Sequence, residues 1–72
     1  MAQRRNTLPL AAMEKLLKQA GADRVSEDAK EALQELLEDY GMELGKRANK
    51  FAAHANRKTI KGSDIKLAKR DT

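Results

Sequence analysis

The chain of 72 residues contains no cysteine and no tryptophan, and only one proline, one histidine, one tyrosine and one phenylalanine. Without cysteine it forms no disulfides and offers no thiolate to a metal, and the missing thiols fit a reducing compartment. The single histidine, His54, builds no metal site without carboxylates or a second chain. β-Branched residues are few and no apolar run alternates with polar residues, which argues against a sheet. No stretch reaches the roughly 18 apolar residues of a membrane span. The two arginines of "MAQRRNT" are followed by no apolar segment of a secretory signal. A phosphate-binding glycine loop and a nucleophile–base spacing are both missing, so neither an enzyme nor a cofactor is expected. A soluble, intracellular protein is the expectation.

What is there starts with size. A chain this short buries only about 60 % of the surface it exposes when unfolded. Small domains compensate with disulfides, a metal or a second chain, and here only the second chain remains. The net charge is +4, and it is unevenly spread. Residues 1–26 hold five Lys/Arg against two acids, 27–41 one lysine against six acids, and 42–72 nine Lys/Arg against three acids. Local charges of +3, −5 and +6 follow. Lysines and arginines concentrated in expected loops point to a shaped surface for a polyanion rather than an evenly cationic coat.

The apolar residues repeat with helical period. Met13, Leu16, Leu17 and Ala20 predict an amphipathic helix from Leu8 to Ala20. Thr7 is expected as its N-cap, Pro9 in its first turn, and Gly21 as its stop. Ser26 is the expected cap of a second helix, with Glu27 and Asp28 at its positive end. Its periodic set runs from Ala29 through Leu33, Leu36, Tyr40, Leu44, Ala48 and Phe51 to Ala55. That is nearly thirty residues, roughly 43 Å at 1.5 Å per residue, whereas a globule of this size is only about 25 Å across. The stripe therefore needs a second copy or a related partner. Gly41 and Gly45 share one face of this helix, as a place for close approach or as a local bend. Asn56 is expected to end the helix in a left-handed conformation. A third helix is expected from Gly62 or Ser63, with Asp64 in its first turn and Ile65, Leu67 and Ala68 turned inward.

"LPLAAMEKLLKQAGADRVSEDA", "LLEDYG" and "FAAHANRKTIKGSDIKLA" together resemble an archaeal-type histone over residues 8 to about 70. The fold expected from this resemblance is all-α: a histone fold of short helix, loop, long central helix, loop and short helix, in an obligate handshake dimer. Residues 8–70 would be the histone-fold domain and 1–7 a short basic extension. The resemblance implies that Arg57 and Asp64 pair to clamp the second loop, where spacing alone leaves an exposed ion pair equally open. It implies that Lys58, Thr59 and Lys61 meet DNA phosphates, and that Arg24 enters the minor groove. Lys15 and Lys18 match basic positions and either extend the DNA path or form a solvated helix face. Phe51, His54 and Asp64 match a contact through which dimers join. By itself His54 reads as a surface or core residue with an ordinary hydrogen bond, and Phe51 as an interface anchor or simply core. Gly21 matches a small residue that permits stacking between successive turns. Asn56, Gly62-Ser63, Ala53 and Asn49 depart from the usual pattern.

The function implied is a cytoplasmic, chromosome-bound protein that binds and wraps double-stranded DNA with little sequence preference. Its partners would be DNA and a second copy of itself, or a paralogue, with higher oligomers on DNA and no membrane. Two alternatives share the fold: a dimer that bends or bridges DNA without filaments, and a heterodimeric transcription-factor subunit. A helix-turn-helix repressor would need a base-reading third helix, and "SDIKLAKR" is short and committed to packing.

Overall fold

The computed structural model describes residues 7–70. Three helices follow in order: α1 (Leu10–Gln19), α2 (Glu27–His54) and α3 (Gly62–Arg70), with no strand among the described residues. The basic extension lies outside those residues except for Thr7.

Pro9 sets the start of α1. Its backbone is extended at ψ 140°, and its carbonyl accepts from the N–H groups of Ala12 and Met13 at 3.2 and 3.3 Å. The helix thus begins two residues later than its apolar period suggests. Pro9, not Thr7, occupies the capping position, with no side-chain cap. Leu8 is kept out of the helix for two reasons. A residue before proline is biased toward extended backbone, and both backbone groups of Leu8 are taken by α2. Its N–H donates to Glu38 Oε2 at 2.9 Å, and its carbonyl accepts from Gln34 Nε2 at 2.6 Å. Gln34 is 7 % exposed, a buried amide with its partner in place. The other carboxylate oxygen of Glu38 is buried and has no partner among the described residues.

Ser26 caps α2 through its hydroxyl, which accepts from Ala29 N–H at 3.2 Å and donates to Asp28 Oδ1 at 2.5 Å. The helix then continues for 28 residues, through Gly41 and Gly45, where an added Cβ would meet nothing within 4 Å.

α1 and α2 end with the same device. Ala22 N–H bonds the Leu17 carbonyl and Gly21 N–H that of Lys18; correspondingly, Arg57 N–H bonds Ala52 O and Asn56 N–H bonds Ala53 O. Each is a Schellman pattern, which requires a left-handed residue after the helix. Gly21 takes φ +117° and Asn56 φ 60°.

The chain divides into two units, one up to Asp39 and one from Tyr40. In the first, Met13 is the buried apolar residue; in the second, Ala48 and Ala52 of α2 and Ala68 of α3 are fully covered. No large side chain is fully buried among the described residues. Leu16, Leu36, Tyr40, Met42 and Ile60 are exposed, Leu36 at 66 % and Met42 at 63 %. Ile65 and Leu67 are exposed too, contrary to the inward position that their apolar character suggests. The nine-residue α3 covers one narrow face, and Asp64 and Ala68, four residues apart, fill it.

Candidate nucleic-acid interface

The segment 55–61 leaves α2 at the left-handed Asn56, which turns Arg57 back toward the first turn of α3. Arg57 Nη1 donates to Asp64 Oδ2 at 2.9 Å and Nη2 to Oδ1 at 3.0 Å, a parallel two-bond pair. Nη1 also reaches the Thr59 carbonyl at 3.0 Å. Lys61 N–H donates to Asp64 Oδ2 at 2.8 Å, as an acid at the third helical position reaches back to the cap. Asp64 is only 4 % exposed. The Arg57 guanidinium first, and the Lys61 N–H second, hold its carboxyl down to about 2 against the opposing effect of burial. Asp64 in turn raises the Arg57 pKa. A single guanidinium–carboxylate pair thus fixes the backbone at Thr59 and at Lys61, while the side chains of Lys58, Thr59 and Lys61 remain exposed.

The segment 20–26 carries Arg24, exposed beside an open cleft lined by Leu17, Ala22, Val25, Ser26 and Ala29. Gly21 at its start is exposed, with open space where a side chain would be. On α1, Lys15 is exposed. Lys18 pairs with Glu14 at 3.3 Å, one turn back, and Lys30 of α2 lies 3.6 Å from the other oxygen of Glu14 and 2.9 Å from Glu27. The hydrogen bond from Lys18, followed by the charges of Lys30 and Lys18, lowers the Glu14 pKa. Glu27 above all raises that of Lys30. Phe51 is half-buried and His54 exposed at the end of α2.

Within the second unit, Arg57, Thr59, Lys61 and Asp64 come together; within the first, Lys18 is drawn toward Glu14 rather than standing apart. Sequence reasoning missed the backbone groups of Thr59 and Lys61 as anchor points, and Glu14, Lys30, Gln34 and Glu38 altogether. The spacings Glu14–Lys18 and Glu27–Lys30 carry a local signal, four and three residues apart on a helix. The Glu14–Lys30 contact carries none. No helix among the described residues is long and apolar enough to cross a membrane.

A family model for the histone-like transcription factors (CBF/NF-Y) and archaeal histones matches residues 6–68. The chain is 56% identical over 61 residues to one chain of the archaeal histone HAN1 of Thermococcus zilligii, covering 85% of this chain and 91% of that protein. It is 44% identical over 63 residues to the probable archaeal histone 3 of Methanocaldococcus jannaschii, covering 88% and 94% respectively.

Proposed function

The chain belongs to the histone-like transcription factor (CBF/NF-Y) and archaeal histone family, and from that premise we propose that it wraps double-stranded DNA with little sequence preference, as homodimers that join end to end. The family is one of DNA-binding chromosomal proteins that form dimers, not of enzymes. The observation that carries the reading is the second loop. Arg57 and Asp64 hold it in one geometry, and Lys58, Thr59 and Lys61 are left exposed on it. Ammonium and hydroxyl donors on a stiff loop suit phosphates, which position a duplex without reporting its sequence. Arg24 suits the negative potential of a narrow minor groove, where it needs no base code. Lys15 and Lys18 extend the path along α1. The exposed Leu36, Tyr40 and Met42 support a second copy as the partner that covers α2.

Joining of dimers through Phe51, His54 and Asp64 is the finer part of the proposal, with Gly21 leaving room for stacked turns. One observation favours a second reading, a dimer that bends or bridges DNA. Asp64 already accepts three N–H bonds and is 4 % exposed, which leaves little of its carboxylate for His54 of another dimer. Micrococcal nuclease digestion of a long DNA saturated with the protein separates the two. An evenly stepped ladder supports wrapping by added dimers, whereas a single short protected length moves the bending reading ahead. A protein that stays monomeric alone and pairs only with a different histone-fold chain would make it half of a heterodimer instead.

A further inference from the structure

The second loop has its clamp in Arg57 and Asp64, and the first loop has a counterpart built from different residues. Lys30 sits one turn into α2, its side chain 14% exposed, with its ammonium 2.9 Å from Glu27 and 3.6 Å from Glu14 of α1. Glu14 lies before the segment 20–26 and Lys30 after it, so their ion pair ties together the two helices from which that loop hangs. The loop's own ends are already fixed, by the left-handed Gly21 and by the Ser26 cap. The Leu8 bonds to Gln34 and Glu38 hold the start of α1, far from the loop, and the Glu14–Lys30 contact joins the two helices nearer to it. With its stem largely covered and its ammonium held between two carboxylates, Lys30 is badly placed to meet a phosphate itself.

We propose that Lys30, held by Glu14, is a positioning residue of the DNA interface, which fixes the first loop and so aims Arg24 at the duplex. This rests on the reading of Arg24 as a DNA contact. It predicts an effect opposite in sign to charge counting. Glu14→Gln removes an anion from the basic side of α1, and by charge alone that strengthens binding to a polyanion. With Glu14 as half of a clamp, the same substitution weakens binding.

The test is a titration of a labelled mixed-sequence duplex at several salt concentrations, using full-length variants with wild-type helicity by circular dichroism. Glu14→Gln and Lys30→Met are each expected to bind about threefold more weakly, the size of a modest ion pair. The double variant should lose no more than either alone, since both remove one interaction. Lys30→Arg keeps the pair and should bind like wild type. The slope of affinity against salt should stay unchanged in all of these, because no phosphate contact is lost. Binding by Glu14→Gln as tight as wild type or tighter overturns the proposal. So does a flattened salt slope for Lys30→Met, which would make Lys30 a phosphate ligand. If Arg24→Ala binds like wild type, the DNA reading of the loop fails first and the proposal falls with it.

Discussion

Arg57 and Asp64 are joined by two parallel hydrogen bonds of 2.9 and 3.0 Å, and the carboxylate also holds the Lys61 N–H at 2.8 Å. Arg57→Ala removes the cation and leaves a nearly buried carboxylate facing only one backbone donor. The melting temperature should fall by about 5 °C or more for a domain of this size. Arg57→Lys should recover little of the loss, because an ammonium cannot supply two parallel donors. An unchanged melting temperature in Arg57→Ala rules out the clamp.

The same pair sets a pH dependence. Asp64 is held at about 2 in the folded chain, whereas an unfolded aspartate titrates near 3.9. Between those values the unfolded chain has bound a proton that the folded chain refuses, so stability falls as pH falls. The contribution is whole above about pH 4 and lost as pH drops through about 2. Urea unfolding of wild type and Asp64→Asn at one protein concentration checks this. Their difference should be largest above pH 4 and shrink toward pH 2. A difference that stays constant over the window excludes Asp64 as its source.

Gln34 is buried, and its amide donates to the Leu8 carbonyl. Gln34→Ala should cost about 1–3 kcal/mol, the usual range for an unsatisfied buried polar group. Far-UV circular dichroism should show little helix lost outside the start of α1. Destabilisation below about 0.5 kcal/mol, an ordinary surface effect, would mean that water replaces the amide without loss.

Asn56 holds a left-handed backbone at φ 60°. Asn56→Ala should destabilise by about 1 kcal/mol, whereas Asn56→Gly should be neutral or stabilising, because alanine keeps the Cβ conflict and loses the short polar side chain that eases it, while glycine removes the conflict. Thermal melts of the two variants at equal concentration decide it. Equal melting temperatures would contradict the role given to the left-handed turn.

Lys58→Ala should weaken binding to unrelated duplexes by similar factors. In a dimer the salt slope should drop by about two, one phosphate contact from each chain. Loss confined to one sequence would point to base reading instead.

The parts of the fold that were legible in the sequence are those written locally. The helical period, the Ser26 cap and the stops at Gly21 and Asn56 each depend on neighbours within one or two turns. The start of α1 was not, because Gln34 and Glu38 act on Leu8 from 26 and 30 residues away and overrule the cap that Thr7 suggests. Ile65 and Leu67 misled for another reason. An apolar residue states that it needs cover, but not whether its own chain supplies it. At the candidate site, the residues Lys58, Thr59 and Lys61 came from a family likeness, not from spacing. The backbone bonds that hold Thr59 and Lys61 depend on where Asp64 points, which no period encodes.

The covered apolar residues of the described chain are three alanines and one methionine, and in the proposed homodimer that small core would link the molecule's survival to its own abundance. A chain that gains most of its cover from a partner folds in a step that is second order in concentration, so its stability rises and falls with how much of it is present. Newly made copies that fail to meet a counterpart would remain open to proteolysis. Turnover of unpaired chains would then keep the pool matched to what can assemble, with no separate sensor.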